Sequence, residues 1–207
     1  MLRLAEVFAL FGVSLLICAL LLTLLASWRG DAIRPIALKI ITASCLVMLW
    51  IPVGNAQIPV VTYVRGLTGD LSITSIALAA WHIGRASFGF RVAPKRDFTA
   101  VMVAVAMAAV FLYPLALGWG DWDAYRPGWG SWGMLLTLLV LCAACSAQRL
   151  RLMPALIALA LLAWAMGLMG SGNLWDYLID PWLSIYALGF VFIKCGRHFM
   201  SRFNLSK

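Results

Sequence analysis

The feature that most limits this chain is a run of 21 residues, Val7 to Ser27, that contains no charged side chain. At 1.5 Å per residue such a helix is about 30 Å long, the thickness of a bilayer's hydrocarbon core. Six more apolar segments follow: Ile36 to Val53, Leu71 to Phe90, Phe98 to Gly118, Trp132 to Ala147, Pro154 to Gly170 and Pro181 to Ile193. The segment at 71–90 is apolar without interruption only as far as Ile83. It reaches spanning length if Arg85 snorkels toward the interface. The expected fold is an all-α integral membrane protein: residues 1–207 as a single bundle of about seven transmembrane helices, N-terminus outside and C-terminus cytoplasmic.

Charge placement supports that count, because cytoplasmic loops are enriched in Lys and Arg. Seven spans put Arg29, Arg34, Lys39, Arg85, Arg91, Lys95, Arg96, Arg149, Arg151, Lys194, Arg197, Arg202 and Lys207 inside. Only Asp31 and Asp97 accompany them. Arg3, Arg65 and Arg126 stay outside with Glu6, Asp70, Asp121, Asp123, Asp176 and Asp180. Omitting the span at 71–90 would place the basic loops on alternating sides and erase the segregation. The compact loops and strong bias point to a multi-pass protein of a bacterial cytoplasmic (inner) membrane. The first run is too long for the apolar core of a secretory signal, and its basic residues mostly follow it, so it is read as a retained span.

Composition agrees. The chain is 64% hydrophobic and 12% charged, against roughly 45–50% apolar and roughly 25% charged for a soluble domain. So little polar surface cannot cover a globule in water, which excludes a soluble enzyme or a disordered segment. Nucleic acid is not an expected partner, since the basic residues are spread over short inner loops and form no single patch. Membrane lipids are, and another membrane-protein subunit is a further candidate.

No Asp, Glu, Lys, Arg or His falls in the central part of any span, where proton relays and voltage sensors place such residues. His82 and His198 lie near the cytoplasmic ends and are read as interfacial packing, not haem ligands. Cys18, Cys45, Cys142, Cys145 and Cys195 all lie in apolar segments. Cys142 and Cys145 form a C-x-x-C filled by two alanines, read as a packing surface of small residues. No metal and no cofactor is expected. Two further stripes of small residues, Ala100/Ala104/Ala108 and Ala163/Gly167/Ser171, have the spacing that lets helices approach closely in lipid.

What chemistry the chain carries is concentrated in three outer segments: 54–70, which is long enough to dip partly into the membrane around Ile58 to Val64, 119–132 and 170–182. They hold Arg65, Asp70, Asp121, Trp122, Asp123, Arg126, Trp175, Asp176, Tyr177 and Asp180. Aromatic faces with a few carboxylates and arginines suit a sugar ring or a phosphorylated lipid head group, and paired carboxylates permit acid–base chemistry. Asp121, Asp123 and Asp176 are the catalytic candidates. Arg65, Asp70, Trp122, Arg126, Trp175 and Tyr177 are the candidates for binding a ligand.

Local structure competes for several of these residues. Asp180 before Pro181 has the pattern of an N-cap followed by proline at the first helical position. Asp70 is placed to cap the helix after it, as is Asp97. Asn173 with Asp176 three residues on has a capping arrangement leading into a short helical turn. Trp and Tyr also collect at membrane interfaces without any ligand.

Two local resemblances arise here. Trp119 to Arg126, WGDWDAYR, looks like the tryptophan-rich outer loop of haem-handling proteins in cytochrome c maturation, which implies outward-facing histidines; this sequence has none. Gly170 to Asp180, GSGNLWDYLID, is similar to the GN-x-x-D segment of lipoprotein signal peptidase, an aspartyl enzyme of the outer membrane–water interface. That family has an arginine where Tyr177 stands, a second aspartate farther along than Asp180, and four spans. Neither resemblance extends over the chain.

Three functions fit these readings. The leading one is a non-catalytic membrane subunit or scaffold of an envelope-assembly or transport complex. A membrane enzyme or binder of lipid head groups or glycolipids, using the outer Asp/Arg/Trp rim, is the alternative. A small passive carrier is the third.

Overall fold

The computed structural model describes residues 4–29 and 34–204, without the side chains of Arg29, His198 and residues 201–204. Readings made of Arg3, Arg29, Asp31, His198, Arg202 and Lys207 therefore lie outside the described residues. The described chain is all-helical apart from one two-residue hairpin. Its helices are α1 (Leu4–Arg29), α2 (Pro35–Leu49), α3 (Val60–Thr68), α4 (Ile73–Phe88), α5 (Lys95–Ala116), α6 (Trp132–Ala147), α7 (Leu152–Ala165), α8 (Leu174–Leu178) and α9 (Pro181–Asn204). The hairpin pairs β1 (Pro52–Val53) with β2 (Ile58–Pro59) between α2 and α3.

Among the described residues, two helices, α1 and α5, are both long and apolar enough to cross a membrane; α2, α6 and α7 are apolar but shorter. Several boundaries shift from the apolar runs. The run 36–53 stops being helical at Leu49, because Pro52 and Val53 pair with the chain returning at Pro59 and Ile58. The run 154–170 ends at Ala165, where Gly167 takes a left-handed φ of 61° and Leu168 N bonds back to the Ala163 carbonyl at 3.0 Å. That is a glycine-type helix terminus, so Ala163, Gly167 and Ser171 do not form one helical stripe. Ala100, Ala104 and Ala108 lie at the margin of the core, while α5 turns Val101, Met102, Val105, Ala109 and Leu112 into it.

Helices α1 and α4 approach closely at Gly12, where a Cβ would stand 2.5 Å from Ile76 Cδ1. Around this seam pack Leu10, Val13, Leu71 and Ile76, and farther along Cys18, Leu22, Ala79 and Ile83. The larger core is built from α4 to α9 around Met102, Ala160, Leu174, Tyr177 and Ala187.

Polar contacts collect at the two ends of the bundle. At one end, Asp97 in the first turn of α5 accepts from the Arg151 and Leu152 amides at 2.9 and 3.3 Å. It therefore caps α7, and not its own helix as its position in the sequence predicts; α5 starts after Pro94. Close by, Arg96 donates to Gln148 at 3.3 Å, Lys194 to Thr99 at 2.8 Å, and Lys39 stands over the Phe88 ring. His82 Nε2 lies 3.2 Å from Thr23 Oγ1, tying α4 to α1. The other end holds the first turns of α4 and α9, the short helices α3 and α8, and the loop 117–131.

Candidate functional site

The second end is assembled around Asp180. This carboxylate is 3% exposed. Its Oδ1 accepts from the Leu183 amide at 2.9 Å, which caps α9 with Pro181 at the first helical position, as the sequence predicts. Its Oδ2 accepts from Ser72 N at 3.0 Å, from Ser72 Oγ at 2.7 Å and from Ser75 Oγ. One buried anion thus sits at the positive ends of two helices, where it is best stabilised. Ser72, rather than Asp70, caps α4, through Ser75 N at 3.2 Å. Asp70 is engaged by the Arg65 guanidinium at 2.6 Å across both side chains' outer surface. That hydrogen bond raises the Arg65 pKa above its ordinary value.

Asp176 is positioned by the tight chain segment before α8. Asn173 caps α8 through the Trp175 amide at 2.9 Å, and its side-chain nitrogen donates to the Tyr125 carbonyl at 3.0 Å. Trp175 Nε1 donates to the Ala124 carbonyl at 3.1 Å. These bonds lock the loop 117–131 onto α8. They leave Asp176 facing Tyr125, whose hydroxyl donates to Oδ1 at 2.5 Å, while Ser171 Oγ donates to Oδ2. Burial first, and then the adjacent Asp176 carboxylate, push the Tyr125 hydroxyl well above the usual tyrosine range. It remains a donor.

These groups line a cleft of about 280 Å³ with Asp70, Asp176 and Asp180 in its wall, together with Tyr113, Tyr125 and Trp175. Beside it lies a more open bowl of about 530 Å³ lined by Leu115, Asp121, Trp122, Asp123 and Tyr125. Tyr125 borders both.

The sequence-selected residues thus divide. Asp70, Trp175 and Asp176 meet in the cleft, and Asp121, Trp122 and Asp123 in the bowl. Asp123 is also a cap: its Oδ1 accepts from the Tyr125 and Arg126 amides at 2.9 and 3.2 Å and starts the 3-10 turn Arg126–Trp129. Arg65 is committed to Asp70. Arg126 is exposed and lines neither cavity. Tyr177 is fully buried, its hydroxyl donating to the Ser171 carbonyl at 3.0 Å and accepting from Met169 N at 3.2 Å, so it braces the cleft from behind. Tyr113 and Tyr125 were not singled out by sequence; Tyr125 belongs to the aromatic-rich segment 119–132, but Tyr113 sits in an uninterrupted apolar run.

Among the described residues, no three His, Cys, Asp or Glu side chains converge as metal ligands. Comparison with protein-family models, with curated proteins and with solved structures finds no match.

Proposed function

We propose that this chain is a seven-span protein of a bacterial inner membrane that binds the hydroxyl-rich head group of a glycolipid in the Asp70/Asp176/Asp180 cleft at the outer face. The spans are α1, α2, α4, α5, α6, α7 and α9, with α3, α8 and the hairpin at the outer interface. Support for the membrane assignment comes from the outward faces of these helices. Leu20, Ile40, Val110, Leu139, Leu162 and Phe192, one on each of six helices, are each more than half exposed, as lipid-facing side chains are. The basic contacts of Lys39, Arg96 and Lys194 fall at one end and the acidic cleft at the other, as positive-inside orientation demands.

The observation that carries the ligand class is the make-up of the cleft wall. It holds three carboxylates and three aromatic rings, and no Lys or Arg is among its lining residues. Arg65 offsets the charge of Asp70, so it is Asp176 and Asp180 that make the wall disfavour phosphate. The wall accepts hydrogen bonds from hydroxyls and offers flat faces to the C–H side of a sugar ring.

Two measurements test the reading. In a variant lacking the native cysteines, Asn55→Cys and Ser131→Cys are expected to react with an impermeant maleimide in intact cells, whereas Val92→Cys and Gln148→Cys react only after lysis. Native nanodiscs of the wild-type chain are expected to retain a glycolipid enriched over the bulk lipid, and Trp175→Ala nanodiscs to lose it. Bulk lipid composition in both would sink the assignment.

A further inference from the structure

The cleft and the bowl share Tyr125 as a wall, and both are lined by aspartate and aromatic side chains without Lys or Arg. In the bowl, Trp122 is about half exposed, and its ring is held by Phe111 at a centroid distance of 5.5 Å, so its orientation is set before any ligand arrives. Asp121 stands beside it, exposed, and Asp123 is fixed by the two amides it caps. The same pairing of carboxylate and indole therefore occurs twice in succession, as Asp176 with Trp175 and as Asp121 with Trp122, on either side of one tyrosine.

We infer that the cleft and the bowl are two consecutive sugar subsites of one elongated site, so that the ligand is a glycan of at least two units with Tyr125 at the junction. The inference rests on the reading of the cleft as a glycolipid site. It deepens that reading by setting a minimum length for the head group. Tyr125 is suited to the junction because its hydroxyl is already anchored on Asp176 and its ring faces both spaces. A one-sugar head group would fill the cleft alone and leave the oriented Trp122 face unused. A second unit would stack there, and its hydroxyls would reach Asp121.

The test uses the full chain in nanodiscs, titrated with methyl β-D-glucoside, maltose and maltotriose and read by saturation-transfer NMR. Maltose is expected to bind at least about tenfold more tightly than the glucoside, with saturation transferred to both of its rings. Trp122→Ala is expected to bring maltose down to the affinity of the glucoside. Equal affinity of the two sugars in the wild type, or a maltose advantage that survives Trp122→Ala, overturns the two-subsite inference and leaves the cleft reading standing. Absence of binding by all three sugars overturns both.

Discussion

Asp180 and Ser72, 108 residues apart in sequence, join the first turns of α9 and α4 through two hydrogen bonds to a single carboxylate oxygen, at 3.0 Å from Ser72 N and 2.7 Å from Ser72 Oγ. With Ser75 and the Leu183 amide, that carboxylate satisfies four donors in a buried place. Removing it orphans the Ser72 and Leu183 amides and leaves the two hydroxyls only each other, and each orphaned buried donor costs about 1–3 kcal/mol. Asp180→Ala is therefore expected to destabilise by more than about 3 kcal/mol, or more than about 6 °C in Tm at this chain length. Asp180→Asn keeps one accepting oxygen and should lose less. Thermal melts in nanodiscs check both, and an Asp180→Ala protein that melts with the wild type would show the junction to be idle.

Asp97 does the corresponding task at the opposite end, holding the Arg151 and Leu152 amides at the start of α7. Loss of a capping side chain costs about 0.5–2 kcal/mol, so Asp97→Ala should melt lower than the wild type but higher than Asp180→Ala. Since the two carboxylates share no partner, the double variant should add to within about 0.5 kcal/mol. Strong non-additivity would mean that the two ends are coupled.

These two residues also show what could be read from the chain and what could not. Apolar runs located the helices because burial and lipid exposure both need continuous apolar surface. Their ends depended on Gly167 adopting a left-handed turn and on Pro52 and Val53 finding partners seven and five residues on. Asp180 was legible as a cap because its amide partner is three residues away. Its bonds to Ser72 and Ser75 are not encoded in any spacing, and Asp97, read as the cap of its own helix, serves another. The acids and tryptophans of segments 54–70, 119–132 and 170–182 were visible as a group. Their sorting into a cleft and a bowl around Tyr125 is a product of tertiary packing.

Tyr125 offers a pH signature. Its hydroxyl titrates above the ordinary 10.0, through burial first and the Asp176 carboxylate next. A group that holds its proton more tightly folded than unfolded adds stability that is intact below the unfolded pKa and is lost as pH rises through the folded one. The contribution of Tyr125 should thus be constant through neutral pH and fade only above about 10. Near-ultraviolet phenolate absorbance of the wild type minus that of Tyr125→Phe should show no phenolate at pH 10.0, the ordinary tyrosine midpoint. A midpoint there would mean that Tyr125 is neither buried nor bonded to Asp176.

Gly128 gives the sharpest steric test of the loop that walls both cavities. A Cβ there would lie 1.8 Å from Asn173 Oδ1 and 2.7 Å from Trp175 Cδ1. Those are the cap of α8 and the ring that faces the cleft, and neither can retreat without giving up its bond to Trp175 N or to the Ala124 carbonyl. Gly128→Ala should therefore detach the loop 117–131 from α8, abolish the proposed sugar binding and lower Tm. Gly133, in the first turn of α6, has nothing within 4 Å of its Cβ position. Gly133→Ala should be neutral or stabilising by up to about 1 kcal/mol, because alanine loses less entropy in a helix. If Gly128→Ala bound and melted like Gly133→Ala, the loop would not be held where the cleft requires it.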